Sequence, residues 1–546
     1  MTAVPPTKVP GAPDADAQAQ LVAGLQRSLS AGAGAPRARL IETHISYVIL
    51  AEGFAYKIKK AVRLPFLDFR TLAARRFYCD EEVRLNRRYA HALYLDVISI
   101  SGTVDAPVMG GDETPIEFAV RMREFPQAAL ASEALARGEV TPADVDALAA
   151  TIAAAHEVAG IAPAGGPFGA PDSILSIATQ NFAQIRPLLE TGAEFGELDA
   201  LLTWTTAEHA RRAAVMAGRR DQGFVRECHG DLHLGNIAFV DGVLTLFDCI
   251  EFNEEMRWID TMSEVAFTTM DLRDRGRSDF SHRFLDRYLG LCGDYAGLGV
   301  LRFYLVYRAM VRAKIARMRA GQLDAGEAKT AALADYRGYL RLANGYTDAP
   351  APAIVITHGL SGSGKTRLSQ ALLEQSGAVR IRTDVERTRT SGRTKGAREV
   401  AAIEAGAYTP EATRATYAHV VMLARYVVDA GFIAIIDGAF LMRWQRQAFR
   451  DLAQELGLPF VIVSLVASVG TLRDRIAHRL RDGTDASEAD AAVLEHQLRT
   501  KEPLDADEAS DVVVYDSEAP TDADDELARL NPVLDRFGPA KRGRAG

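Results

Sequence analysis

Cysteine is scarce in this sequence: Cys79, Cys228, Cys249 and Cys292 are scattered over 546 residues without a C-x-x-C pair. That spacing gives neither a disulfide framework nor a zinc pattern, and it suits a reducing compartment such as the cytoplasm. Also missing is an uninterrupted apolar run long enough to span a bilayer. The longest late stretch, Leu458 to Val469, predicts a buried strand with its flanks. Residues Met1 to Pro13 are rich in Pro and Ala but lack the apolar centre of a secretory signal, so a soluble chain with no membrane partner is expected. Positive charge is in deficit too: 63 Lys and Arg against 72 Asp and Glu leave a net charge of -9, which argues against a general binder of nucleic-acid backbones. Internal repeats are absent.

What is present is the composition of an ordinary globular protein, 48% hydrophobic and 25% charged, in a chain too long for one core. Two or more domains are therefore expected. Residues 1–20 read as a mobile leader, 21–344 as a first domain, 345–353 as a linker, 354–535 as a second domain and 536–546 as a disordered tail. In the first domain, Ile41 to Lys60 predicts a β-hairpin turning at Ala51-Glu52-Gly53, followed by a helix from Leu72 to Ala92 and strands from Val97 to Arg123. Helical spacing dominates after Pro142, broken around Cys228 to Asp248. Past the linker, apolar runs Ile354–Thr357, Phe432–Ile436 and Phe460–Leu465 alternate with helical segments, the pattern of a parallel sheet with crossover helices. The patterns predict an α+β first domain followed by an α/β second domain with a mainly parallel sheet.

Gly359-Leu-Ser361-Gly362-Ser363-Gly364-Lys365-Thr366 fits G-x-x-x-x-G-K-[ST] between an apolar strand and a helix. In such a loop successive backbone N–H groups converge on phosphate oxygens, the helix N-terminus adds its positive dipole end, Lys365 reaches the terminal phosphates and Thr366 holds Mg2+. Asp384, in Thr383-Asp-Val-Glu-Arg387, falls where a second strand should end and would serve as the acceptor-activating base. Asp437 ends another apolar strand as a support for the metal shell. For each of these aspartates a helix-capping role competes with the chemical one. Arg473, Arg475, Arg479 and Arg481 form a basic helical stretch, with Arg475 and Arg479 on one face. This is either a solvated surface or a lid whose arginines close on the phosphoryl group. Asp485, Ser487 and Glu488 then predict a capped helix start.

In the first domain, His229-Gly-Asp231-Leu-His233-Leu-Gly-Asn236 has the H-x-D-x-x-x-x-N spacing of a kinase catalytic loop, with Asp231 as the base and Asn236 as a metal ligand. A hairpin through Asp241-Gly242 follows, and Asp248 ends its second strand where a metal-holding carboxylate belongs. His229 and His233 also have the interval of a zinc pair, but the intervening Gly-Asp disfavours a helix and no third ligand is evident. Upstream, Lys57 and Lys59 share one strand face; Lys57 is the first choice for the nucleotide phosphates. Its partner comes from Asp80-Glu81-Glu82, with Glu81 favoured because Leu85 lies one turn on. Ala119 to Arg123 is the candidate strand linking the lobes.

Residues from about 352 to 530 resemble the small P-loop kinases of the gluconate kinase and polynucleotide 5′-end kinase type, with Asp384 and Arg387 similar to that group's acceptor-site Asp and Arg. Residues from about 35 to 340 resemble the aminoglycoside phosphotransferase and choline kinase superfamily, on His229-Gly-Asp231 in place of H-R-D and Phe247-Asp248-Cys249 in place of D-F-G. Trp258-Ile-Asp260 is similar to that superfamily's later structural Asp, while a Gly-rich phosphate loop is absent from the first lobe. In this order the two domains resemble a bacterial family of fused phosphotransferase and ATP-binding proteins. The resemblances imply an α+β bilobal protein-kinase-like domain followed by an α/β P-loop domain with a mainly parallel sheet, ATP and Mg2+, and small-molecule acceptors of the γ-phosphoryl group at both sites. Nucleic acid would enter only as 5′ ends at the second. One domain regulating the other, and an ATP-dependent interaction module, are the competing functions.

Overall fold

The computed structural model describes residues 15–30, 38–64, 67–111, 113–348, 351–391, 409–482, 491–519 and 523–537, apart from the side chains of 15, 479–482, 523–527 and 537. The expected leader and tail therefore lie largely outside the described residues, as does the helix start at Asp485 to Glu488. The chain divides into two compact units: Met1–Ala147, Ala154–Ile174 and Met216–Asp271 form the first, while Leu148–Ala153, Leu175–Val215 and Leu272–Gly546 form the second.

In the first unit the strands Arg39–Glu42, Ser46–Ala51, Phe54–Lys59, Glu117–Arg123, Tyr94–Gly102 and Pro107–Met109 lie in that order in one antiparallel sheet. The expected hairpin turns on Glu52 and Gly53, both at positive φ (54° and 79°), the backbone twist that a two-residue turn requires. Thr71 caps the helix Leu72–Ala90 by accepting from Ala74 N at 3.1 Å. That helix and the sheet enclose a core of Cys79, Val83, Leu93, Tyr94, Phe118 and Val120. A second core, on Ile49, Ile58, Ile100 and Ala119, is closed by Leu21, Val22 and Leu25 of the helix Ala15–Leu29. Beyond these, Val225–Glu227 pairs with Trp258–Asp260, and Ile237–Val240 with Val243–Leu246.

The second unit is built on a five-stranded parallel sheet in the order Val379–Arg382, Ala434–Asp437, Ile354–His358, Phe460–Val466 and Val512–Asp516. Its central strands are mainly apolar and buried because helices cover both faces. Val355, Leu372, Ile435, Val461, Val463 and Val533 form the core on one side. The long helices Leu298–Gln322 and Glu327–Thr347 pack together in this unit. The compact units thus divide the chain earlier than the Pro-rich segment at 345–353, since everything after Asp271 falls with the parallel sheet. Among the described residues no helix is long and apolar enough to cross a membrane.

Candidate functional site

The first constellation gathers where the strand Phe54–Lys59, the helix Leu72–Ala90 and the loop after Leu246 meet. Lys57 Nζ donates to Glu82 Oε1 at 2.8 Å and to Asp248 Oδ1 at 2.6 Å. Lys59 Nζ, fully buried, donates to Glu82 Oε2 at 2.7 Å and also to Glu251. Burial alone would raise the Glu82 carboxyl, but two ammonium groups hold it down, to about 2. Burial opposes the charge on Lys57 as well, yet Asp248 and Glu82 raise its pKa well above the usual lysine value. The partner of Lys57 is therefore Glu82 and not Glu81, which turns instead to Arg84 at 2.8 Å and faces Arg257 at 3.6 Å. The helix phase explains the correction: Arg75, Cys79, Glu82 and Asn86 are on the buried face, so Leu85 does not mark the inward position of Glu81.

The loop from Cys228 to Asn236 is held from several sides. Gly230 has φ 90°, and a Cβ there would lie 2.7 Å from Met256 O. Its N–H donates to Glu264 Oε2 at 2.7 Å, while His156 Nε2 donates to Glu264 Oε1 at 3.1 Å. Burial would raise Glu264, but the His156 hydrogen bond leads the contributions that hold it down, to about 2. Burial pushes the His229 imidazole below its ordinary value, and the neutral ring donates from Nε2 to Phe247 O at 2.8 Å. Asn236 Nδ2 donates to Asp231 O at 2.9 Å and Oδ2 at 3.1 Å, bringing the expected base and metal ligand together. His233 accepts from Gly235 N at Nδ1 (3.0 Å), with its Nε2 3.6 Å from Asp231 Oδ2. His229 thus ties the loop to Phe247, and His233 serves the loop's own hydrogen bonding.

Asp248 takes φ 64°, an uncommon backbone for a non-glycine residue and one that tertiary structure must enforce. Tyr94 Oη accepts from Asp248 N at 3.1 Å, and Asn86 Oδ1 accepts from Cys249 N at 2.9 Å. The Asp248 side chain remains 43% exposed. Together with the Asn236 amide this is a hard oxygen set of the kind that suits Mg2+. Asp260 is buried in a two-pronged pair with Arg219 at 2.8 Å, as a structural support would be.

The second constellation sits at the C-terminal ends of the parallel strands. Gly359, Gly362 and Gly364 all have positive φ (151°, 83° and 91°). Cβ atoms on the first two would lie 2.8 Å from Ser363 Oγ and 2.9 Å from Leu472 O, so the close-wound loop admits only glycine there. Ser363 Oγ is buried with no hydrogen-bond partner among the described residues, a hydroxyl that a phosphate oxygen would satisfy. Ser361 N donates to Gln497 Oε1 at 2.9 Å. Lys365, the first residue of the helix Lys365–Ser376, lays its ammonium on Gly359 O and Leu360 O at 3.0 and 2.8 Å.

Asp437, buried, ends the strand beside the P-loop strand, and Ser369 Oγ lies 3.2 Å from its Oδ2. Asp384 stands in the first turn of the helix Thr383–Thr390 and accepts from Arg382 Nη2 at 2.8 Å and from Val385 N at 2.8 Å. Arg387 Nη1 donates to Thr413 Oγ1 at 3.2 Å. In the helix Val469–Asp482, Arg475 turns inward to Gly362 O (3.3 Å) and Ser517 O (2.7 Å), whereas Arg473 pairs at the surface with Glu495. The side chains of Arg479 and Arg481 lie outside the described residues.

Comparison with known proteins bears on both constellations. The model of the phosphotransferase enzyme family matches residues 108–304, and that of an AAA domain matches residues 354–504. An uncharacterized protein of Mycobacterium tuberculosis (strain ATCC 25618 / H37Rv) is 30% identical over 453 residues, 83% of this chain and 88% of its own length. The chain belongs to the same family as this mycobacterial protein. Its N-terminal part carries the match to the phosphotransferase enzyme family, and its C-terminal part carries the match to the AAA domain, over the stretch that holds the P-loop. Among solved structures, a choline/ethanolamine kinase family protein from Mesorhizobium loti is 11% identical, covering 61% of this chain and 95% of its own, with a TM-score of 0.37. A sugar kinase from Janibacter sp. HTCC2649 is 23% identical, covering 35% and 97%, with a TM-score of 0.27.

Within the phosphotransferase domain, the structure adds three residues that sequence reasoning passed over: Glu251 under Lys59, Glu264 behind Gly230 and Asn86 behind Cys249. Only a charged or polar side chain set among apolar neighbours hints at them in the sequence. In the P-loop kinase domain the additions are Gln497 at the Ser361 amide and Ser369 beside Asp437.

Proposed function

We propose that each domain binds Mg2+–ATP and transfers the γ-phosphoryl group to a hydroxyl of a small molecule. The observation that supports this is that each compact unit holds a lysine and a nearby carboxylate of the expected motifs, Lys57 on Asp248 beside the Asp231–Asn236 loop in one, and Lys365 of the P-loop with Asp437 held by Ser369 in the other. When bound, the metal would neutralise charge developing on the transferring phosphoryl group. In the phosphotransferase domain Lys57, oriented by Glu82, holds the nucleotide phosphates, Asn236 and Asp248 provide metal ligands, and Asp231 accepts the acceptor hydroxyl's proton. In the P-loop kinase domain the amides of Gly359 to Gly364, Lys365 and Arg475 hold phosphate, Thr366 and Asp437 the metal, and Asp384 the acceptor proton, with Arg387 towards the acceptor. Neither domain offers a protein nucleophile in this scheme, so positioning and charge neutralisation do the work.

The test is a metabolite-extract screen with γ-labelled ATP, run on the wild type, Asp231→Ala and Lys365→Ala. Loss of a different labelled product in each variant is the expected result. Identical product patterns in all three proteins would sink the proposal, and loss of every product in either single variant would replace two independent enzymes with one coupled catalyst.

A further inference from the structure

Arg380 lies on the strand Val379–Arg382, yet its guanidinium serves the P-loop helix. Nη1 donates to Thr366 O at 3.3 Å and to Ser369 Oγ at 3.3 Å, while Nη2 donates to Gln370 Oε1 at 2.7 Å. Ser369 Oγ is in turn 3.1 Å from Thr366 O and 3.2 Å from Asp437 Oδ2. One buried cation thus holds the first turn of that helix, including the backbone of Thr366, and the hydroxyl beside Asp437. Its counter-ion is Asp286, whose Oδ2 accepts from Arg380 Nη2 at 2.8 Å and whose Oδ1 accepts from Arg380 N at 3.2 Å. Both side chains are more than nine-tenths buried.

Asp286 does not come from the P-loop kinase stretch of the sequence. It stands on the helix Ser278–Cys292, inside the stretch matched by the phosphotransferase family, although that helix belongs to the compact unit of the parallel sheet. The helix is seated closely. His282 Nδ1 donates to Glu374 O at 2.9 Å, Arg283 Nη1 donates to Glu374 Oε1 at 2.9 Å, and Arg389 Nη2 donates to Gly290 O at 2.8 Å. Tyr295 Oη reaches Arg380 O at 3.3 Å. A Cβ at Gly377 would lie 3.0 Å from His282 Nε2, and one at Gly293 would lie 2.9 Å from Arg389 Cζ; both glycines have positive φ.

A buried ion pair adds little net stability compared with apolar residues of the same shape, but it fixes where its members point. Here the pair points the five-donor fork of Arg380 at the one turn of helix that presents Thr366, with Ser369 next to Asp437. We infer that Asp286 is a positioning residue for the P-loop kinase site, acting through Arg380 to set the Thr366 and Asp437 metal-binding geometry. The P-loop kinase is then complete only with a helix borrowed from the phosphotransferase stretch. This rests on the proposed Mg2+–ATP site at Lys365.

The experiment uses the full chain and isothermal calorimetry of ATP with and without Mg2+, taking as signal the binding lost in Lys365→Ala. Asp286→Asn and Arg380→Lys, each checked by circular dichroism for an intact fold, are expected to weaken the Lys365-dependent Mg2+–ATP affinity by roughly tenfold, the scale of one lost charged hydrogen bond. They are also expected to raise the Mg2+ concentration for half-saturation while leaving metal-free ATP binding nearly unchanged. A purely structural pair would lower the melting temperature without moving the Mg2+ dependence. Wild-type affinity and Mg2+ dependence in either folded variant overturns the inference. Absence of any Lys365-dependent binding in the wild type instead overturns the P-loop reading itself, and the inference falls with it.

Discussion

Two lysines one strand step apart on the same face, Lys57 and Lys59, share Glu82 and have different prospects. Lys57 retains some solvent access and reaches Asp248, whereas Lys59 is sealed between Glu82 and Glu251. Lys59→Met leaves two buried carboxylates short of a cation and is expected to cost about 3–5 kcal/mol in urea unfolding. Lys57→Met should cost much less stability and show instead as weakened nucleotide binding. A Lys59→Met protein as stable as the wild type would contradict this division of labour. His358, at the end of the P-loop strand, is pushed down to about 4 by burial first, then by Arg446 and Lys365. The unfolded chain, with the imidazole near its ordinary 6.5, then binds more protons between the two values. This contribution to stability is full above about 6.5 and is lost as pH falls towards 4, amounting to about 2–3 kcal/mol. The difference between the pH–stability curves of wild type and His358→Gln should slope over that window and flatten above it.

The catalytic-type loop makes a sharper prediction than any strand. Gly230 has a positive φ and a backbone carbonyl where a methyl would go, so Gly230→Ala is expected to destabilise by about 1–3 kcal/mol and to displace Asp231. Asp231→Asn preserves the shape, and the expected result is a fall in kcat of about 10²–10⁴ with nucleotide affinity unchanged, measured on whichever acceptor the extract screen identifies. A parallel loss of nucleotide affinity would assign Asp231 to ground-state binding. At this scale the sequence was readable wherever the signal is a local motif: the Glu52-Gly53 hairpin, the P-loop and the loop ending at Asn236 are each spelled out within a few consecutive residues. The phase of the helix Leu72–Ala90 was not readable, because its buried face carries Arg75, Glu82 and Asn86, and apolar spacing therefore gives no reliable bearing on Glu81 against Glu82. Glu251, Glu264 and Asp286 escaped notice because their partners are 192, 34 and 94 residues away and only the fold brings them together.

For the whole chain, composition marks a seam at 345–353 that compactness does not respect. Gly, Pro and Ala in that stretch carry no side chain able to report that the helices before it have their partners after it. A protease site inserted between residues 349 and 350 therefore supplies a direct test. After cutting, the two pieces are expected to co-elute in size-exclusion chromatography at the mass of the intact chain, held by Asp286, Arg283, His282 and Arg389. Separation of the pieces under native conditions would refute that packing.

The helix Ser278–Cys292 also bears on heredity. If one segment answers to two domains, neither can be inherited, exchanged or repaired by recombination as a self-contained cassette. A genetic selection for loss of the activity proposed for the P-loop site should recover alleles at Asp286 and its neighbours, far upstream of the P-loop itself.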